Sequence, residues 1–268
     1  MNGQIAVLLP HYNNYNGLRL TLESLLKETE DFSLFIVEDG SEVLDEVKQI
    51  VDGFSNQLDI SLIVNEVNLG IVKALNKGLG YIISLNKYHF VARIDAGDVC
   101  LNDRLKKQKE VLVKNNEISM VGSWVRFVDM ERNKLFDFRP PTYHDKLKRA
   151  IRMYNPFVHS AVMYKLNDIK EAGLYPEDFP ALEDHACFFN ILKKNKAVII
   201  PEFLMEYEVN PNGISIQKRG IQTKSRVKLL LKEYDFTVIA TIGVLRAILT
   251  YILPQSFLIQ LKKGIFYK

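Results

Sequence analysis

Phe90-Val91-Ala92-Arg93-Ile94-Asp95-Ala96-Gly97-Asp98-Val99 is the stretch that decides the fold. It reads as a short buried strand running into two carboxylates three positions apart. In open α/β sheets ligands bind outside the carboxyl ends of the strands, so a strand delivering acids to that end builds a site. Two acids this close repel each other unless a cation or donor groups compensate. A hard divalent ion held by carboxylates and substrate phosphates is the usual compensator. The plainer reading is a strand closed by an Asp/Gly turn, which needs no ligand. This stretch alone leaves both readings open.

The flanking sequence repeats one pattern. Gln4 to Pro10 is a continuous apolar run that ends at proline, and His11 to Gly17 is turn chemistry. Leu18, Leu22, Leu25 and Leu26 then recur at helical spacing. Phe32 to Val37 is a second buried strand, Leu44 to Phe54 a second amphipathic helix, and Ile60 to Val64 a third strand. A polar loop, Asn65 to Gly70, leads into a helix over Val72 to Ser84. Strand, turn and helix in repetition imply parallel strands with helical crossovers. Beyond the acids, Asn102 is positioned to cap a helix. Met120 to Asp129 and Leu135 to Phe138 alternate like paired strands, and Lys146 to Ile151 suits a helix. Asn155 to Lys165 ends in a strand-like run, Ala181 to His185 opens a helix, and Ala197 to Ile200 suits a further strand.

The 268 residues, 47% hydrophobic and 25% charged, suit one large domain or one domain with an appendage. Cys100 and Cys187 stand far apart in no metal-binding spacing, and no secretory signal opens the chain. Both point to free thiols in a reducing compartment. The net charge of +3 is unevenly spread. Residues 218–268 hold ten Lys and Arg against two acids, which is +8 and leaves −5 for residues 1–217. An acidic body argues against a nucleic-acid partner. A basic, apolar tail suits docking to an anionic membrane surface. Val238 to Leu253 is almost wholly apolar but short for a span and interrupted by Arg246. Gln255 to Lys268 mixes bulky apolar residues with lysine, as interfacial helices do. The competing arrangement is a pair of helices packed back on the domain.

Six motifs in order carry a resemblance: LLPHYNN (Leu8 to Asn14), VEDGS (Val37 to Ser41), NLGIVKALNKGL (Asn68 to Leu79), RIDAGD (Arg93 to Asp98), NPFVHSAVMYK (Asn155 to Lys165) and LED (Leu182 to Asp184). Over about residues 4 to 210 the chain resembles the inverting glycosyltransferases of family 2, and most nearly bacterial enzymes that assemble O-antigen, capsule and exopolysaccharide units. The resemblance implies an α/β, GT-A (Rossmann-like) nucleotide-sugar-binding domain with a mixed, mainly parallel central sheet over residues 1–217. A C-terminal helical tail over 218–268 would follow. It implies a cytoplasmic enzyme at the inner face of the membrane. The donor would be a nucleoside-diphosphate sugar and the acceptor a saccharide, plausibly polyprenyl-diphosphate-linked.

By that resemblance Pro10, Tyr12, Asp39, Asn68, Gly70, Lys73, Arg93 and Asp95 bind the donor. Asp184 is the general base and Glu183 its catalytic neighbour. The family's metal motif is Asp-X-Asp-Asp. Asp95 and Asp98 match its first and last acids, and Gly97 replaces the middle one, often the direct ligand of Mg²⁺ or Mn²⁺. Asp98, with Asp95, is then the candidate ligand. Charge on the leaving diphosphate has Arg93, Lys73 or His159 to offset it; His159 otherwise contacts phosphate or acceptor, or is a satisfied core histidine. A carboxylate at a helix start, as at Glu183-Asp184, is favoured by the helix dipole and stays ionised. Trp124 and Phe127 either stack on a sugar or fill the core. Two rival functions remain. A nucleotidyltransferase lacks its early Gly-rich phosphate loop here, and a catalytically inactive sugar-nucleotide scaffold draws its support from Gly97.

Overall fold

A computed structural model describes residues 4–210 and 217–253 of the chain. The first apolar run forms strand β1 (Gln4–His11), and the repeating pattern continues through α1 (Tyr15–Leu25), β2 (Phe32–Asp39), α2 (Leu44–Phe54), β3 (Asp59–Asn65), α3 (Ile71–Ser84) and β4 (Tyr88–Arg93). These strands are parallel, in the order β3-β2-β1-β4. Their side chains alternate between two cores. Ile5, Val7 and Leu9 join Leu18, Leu22, Val47 and Ile50 of α1 and α2. Ala6 and Leu8 join Ala74, Leu75, Leu79 and Ile82 of α3 on the other face. Burial on both faces is why these strands read as unbroken apolar runs.

The decisive stretch is shorter as a strand than the sequence suggests. β4 stops at Arg93, residues 95–98 turn, and β5 (Val99–Cys100) restarts antiparallel to the last strand. The remaining elements are α4 (Arg104–Lys114), β6 (Ile118–Val128), β7 (Lys134–Phe138), α5 (His144–Met153), a 3-10 turn (His159–Ala161), β8 (Met163–Lys165), α6 (Leu166–Glu171), α7 (Glu183–Lys194) and β9 (Lys196–Glu208). The sheet continues β4-β8-β6-β9-β5, with β7 on β6; β8 runs antiparallel to both of its neighbours, β6 and β9 are parallel, and β5 and β7 are antiparallel to β9 and β6. The mixed α/β architecture expected from the sequence is present.

Asn102 does not cap α4. Its side chain donates to the Phe203 carbonyl. The free N–H groups of Arg104 and Leu105 go instead to the two carboxylate oxygens of Glu28, at 3.2 and 2.9 Å. A carboxylate satisfies helix-end donors and favours the positive end of the dipole, wherever in the sequence it comes from.

Two further helices follow residue 217, α8 (Arg219–Lys232) and α9 (Val238–Ile252). Leu229, Leu230, Val244 and Ala247 join the core that contains Phe188 and Phe189 of α7. Lys193 pairs with Glu233 at 2.9 Å and Arg152 with Asp235 at 2.5 Å. Among the described residues no helix is long and apolar enough to cross a membrane. The interfacial helix expected over Gln255 to Lys268 lies outside the described residues. α9 packs so closely on α5 that a Cβ on Gly243 would stand 2.5 Å from the Arg152 carbonyl oxygen. Backbone cannot yield there as a side-chain tip would. Gly243→Val is therefore expected to cost about 1–3 kcal/mol, as overpacking does. An unchanged melting temperature would show that α9 is not docked on α5.

Candidate active site

The turn at the end of β4 is held from several sides through its backbone. Asn14, at the N-terminus of α1, donates Nδ2–H to the Ala96 carbonyl at 2.8 Å. The Gly97 N–H reaches the Gly17 carbonyl and the Thr21 hydroxyl, each at 3.0 Å. That hydroxyl donates in turn to the Asp98 carbonyl at 2.8 Å. From the β6–β7 hairpin, Arg132 donates to the Gly97 carbonyl at 3.0 Å and to Glu206 at 2.6 Å. Gly97 has φ +107°, a conformation that side chains disfavour, which explains the glycine.

This frame leaves the acids with distinct surroundings. Asp95, partly exposed, pairs with the buried guanidinium of Arg93. Burial opposes the charge on Arg93, but Asp95 more than offsets it and keeps the arginine protonated. Asp98 is 2% exposed; its Oδ1 accepts the Glu208 N–H at 2.9 Å, while its buried Oδ2 has no hydrogen-bond partner among the described residues. Burial, then the charge of Asp95, pushes Asp98 up to about 7, against the Ser160 hydroxyl and the Glu208 N–H, which favour its charged form.

A second acid pair opens α7. Asp184 is half-buried, and its carboxylate accepts Asn155 Nδ2–H at 2.9 Å and the His185 N–H at 2.6 Å. Burial raises its pKa against those bonds. Glu183 is 8% exposed, has a buried Oε2 without a partner among the described residues, and is pushed up to about 7 by burial and by Asp184. Burial thus works against the helix dipole at this pair and raises the pKa of both acids. His159 meets the Tyr175 hydroxyl at 3.0 Å, and burial with the nearby Arg93 charge pushes it well below its usual range. Burial and Arg93 therefore work against a charged His159, which leaves hydrogen bonding as its simplest contribution to the cleft.

Arg93, Asp95, Asp98, His159, Glu183 and Asp184 all line one cleft of about 750 Å³. Phe127, Phe136, Phe138 and Tyr207 give it an aromatic wall, with Phe127 and Phe136 stacked at 4.5 Å. Trp124 is not part of the cleft lining and packs on Phe203.

The other expected donor residues gather at the ends of β1, β2 and β3, outside that lining. Asp39 is buried and accepts three hydrogen bonds: Asn65 Nδ2–H at 2.7 Å, Leu69 N–H at 3.0 Å and Gly70 N–H at 2.8 Å. Its carboxylate therefore fixes the loop that enters α3. Pro10 is buried in β1, whereas Tyr12 (49% exposed), Asn68 and Lys73 face solvent. Gly40 lies so close to that loop that a Cβ would stand 2.4 Å from the Val67 carbonyl carbon.

The sequence profile described as Glycosyl transferase family 2 matches residues 6–165. The chain belongs to that family. The amylovoran biosynthesis glycosyltransferase AmsE of Erwinia amylovora is 28% identical over 239 residues, covering 86% of this chain and 88% of the relative. An Escherichia coli UDP-Gal:alpha-D-GlcNAc-diphosphoundecaprenol beta-1,3-galactosyltransferase is 23% identical over 273 residues, covering 99% and 95%. The structure of the mannosyltransferase PcManGT from Pyrobaculum calidifontis, solved with GDP-Man and Mn²⁺, superposes with a TM-score of 0.65 at 13% identity, over 97% of this chain and 79% of that one. The fold is thus GT-A, and the protein is a glycosyltransferase.

Among the described residues, no three acidic, histidine or cysteine side chains converge to hold a metal ion by themselves. The unpartnered, buried Oδ2 of Asp98 nevertheless fits a cation that phosphate oxygens and water help to bind, as magnesium sites often require. Sequence reasoning missed the roles of Asn14, Thr21, Asn155, Arg132 and Glu208. Asn14 and Asn155 lie inside quoted motifs, which was the available signal. Arg132 and Glu208 carry none, since only the fold brings them to the turn. Gly97→Ala is expected to destabilise the protein by about 1–3 kcal/mol, because a positive φ strains alanine. Its Cβ would also stand 3.0 Å from Glu208 Oε1. Chemical denaturation measures this, and an unchanged midpoint would mean that the turn is not held as described.

Proposed function

We propose that this glycosyltransferase inverts the anomeric centre of a nucleoside-diphosphate sugar and acts in surface-polysaccharide assembly on a lipid-linked saccharide. The observation that carries the reading is the half-buried Asp184 carboxylate, oriented by Asn155 in the same cleft as the acids of the 95–98 turn. The relatives' names support the pathway class and the lipid-linked acceptor.

In this reading the nucleoside lies along the ends of β1 to β3. Tyr12, exposed beyond the buried Pro10, offers its ring to the base, and Asp39 holds the loop of Asn68 and Gly70 against the nucleotide. Lys73, exposed on the first turn of α3, adds positive charge beside that loop. The diphosphate lies toward Arg93, Asp95 and Asp98. A divalent cation bound by Asp98, with Asp95 nearby, would neutralise charge on the diphosphate. Asp184 takes the proton from the acceptor hydroxyl. The acceptor oxygen bonds to the anomeric carbon, and the bond to the diphosphate oxygen breaks with its electron pair leaving on the diphosphate. The aromatic wall suits the apolar faces of sugar rings.

Burial raises the pKa of Asp184, which makes it a stronger base than an ordinary aspartate. Such a base is lost as pH falls through its pKa, so kcat should decline on the acid side at a higher pH than an ordinary aspartate would give. Asp184→Asn keeps the shape but cannot take the proton. It should lower kcat by about 10²–10⁴-fold, the usual weight of general-base catalysis, and leave donor affinity largely intact. Near-normal turnover would remove Asp184 from the mechanism.

The outer face of α9 supports docking to an anionic membrane. Val238, Ile242, Leu245, Leu249 and Ile252 are exposed at alternating spacings of four and three, one side of the helix. Exposed Lys224, Lys228 and Lys232 on α8 and Arg246 on α9 add charge. Apolar burial and basic charge reinforce each other at an anionic interface. The double variant Leu245→Glu, Leu249→Glu should therefore lose sedimentation with anionic vesicles while keeping its melting temperature. Unchanged vesicle binding would refute the assignment of this face.

A further inference from the structure

We propose that Glu208 supplies, from the end of β9, the carboxylate that Gly97 removes from the Asp-Ala-Gly-Asp turn, so that Asp98 and Glu208 together face the divalent cation accompanying the donor diphosphate. This rests on the donor reading above.

The geometry is specific. A Cβ built on Gly97 would stand 3.0 Å from Glu208 Oε1 and 3.3 Å from its Cδ. An aspartate at position 97 would carry its carboxylate one bond beyond that Cβ, in space the Glu208 carboxylate already occupies. In this chain Glu208, and not residue 97, brings a carboxylate to that space. Glu208 is also fixed relative to the neighbouring acid, because its own N–H donates to Asp98 Oδ1 at 2.9 Å. That bond occupies one oxygen of Asp98 and leaves the buried Oδ2 without a partner among the described residues. Both side chains line the cleft. The charge of Arg132 acts on Glu208 against the burial that raises its pKa, but the hydrogen bonds of Arg132 go to the Gly97 carbonyl and to Glu206. Two carboxylates lining one cleft, one with an unpartnered buried oxygen, favour a positive charge beside them. Magnesium and manganese take one or two carboxylates and complete their shell with phosphate and water, which fits two protein acids and a diphosphate.

The arrangement also changes what restoring the family motif would do. Gly97→Asp would place a third acid against Glu208 on a strained backbone, so it should weaken the site.

The test is calorimetry with nucleoside diphosphates (UDP, GDP, CDP and dTDP), each in chelator and in Mn²⁺. The wild type should bind one of them in chelator and bind it more tightly with Mn²⁺. Glu208→Gln should bind at least as tightly as the wild type in chelator, since it removes a negative charge from beside the diphosphate, and lose most of the gain from Mn²⁺. The loss should be about tenfold or more, since even partners outside the ligand shell cost 10–100-fold in metal affinity. Asp98→Asn should behave likewise. A full Mn²⁺ gain in Glu208→Gln overturns the proposal. So does weakened binding in chelator, which would make Glu208 a structural residue. A wild type that binds nucleotide with no gain from Mn²⁺ overturns it too while leaving the donor reading intact. If no nucleoside diphosphate binds, the donor reading itself fails.

Discussion

The structure depends on how the backbone of residues 95–98 is held. The carbonyls of Ala96, Gly97 and Asp98 and the N–H of Gly97 are all occupied, by Asn14, Arg132, Thr21 and Gly17. Because main-chain groups fix the turn, its carboxylates need not: Asp95 pairs with Arg93, and Asp98 keeps one oxygen, Oδ2, without a hydrogen-bond partner among the described residues. A site held on rigid elements by such supporting contacts keeps its geometry through binding. The supports come from α1, from the β6–β7 hairpin and from β9, so the turn gathers both halves of the sheet. Arg104, fully buried on α4, adds to this by donating to the carbonyls of Arg93 and Val162, where β4 meets β8.

Collecting acids in one cleft opposes stability. Asp98 and Glu183 are each pushed up to about 7, chiefly by burial and then by a neighbouring acid. The folded chain therefore keeps protons that the unfolded chain releases above its ordinary carboxylate range near about 4. The sign follows from linkage: these groups weaken the fold as pH rises from about 4 toward 7, and are neutral in effect below that window. A segment that costs stability in the empty state is what a binding site looks like when its complement is positively charged.

Much of the fold was legible in local pattern. The α2 boundaries follow from amphipathic spacing alone, since Val47, Ile50 and Val51 face the core. Apolar runs marked β1, β2 and β3 because both sheet faces are covered. The cap of α4 was not legible, because its acceptor, Glu28, lies 76 residues upstream. Glu208 meets Asp98 across 110 residues, and nothing local in the sequence distinguishes it from any glutamate that ends a strand. Asp39 shows a different limit. Its position after a buried strand marked it as a functional acid, but only the fold reveals that its oxygens are taken up by Asn65, Leu69 and Gly70. The tail divides in the same way. Apolar composition marked α9, whereas the split into a face docked through Gly243 and a face left exposed needs the contact with Arg152.

The central claim is a single displacement at the anomeric carbon, driven from the Asp184 side of the cleft. The anomeric configuration of the product tests it most directly. With a donor whose sugar is α-linked to the diphosphate, proton NMR of the purified product should show a β linkage formed without a lag. An α-linked product would mean retention, which one displacement cannot give, and would contradict the role assigned to Asp184.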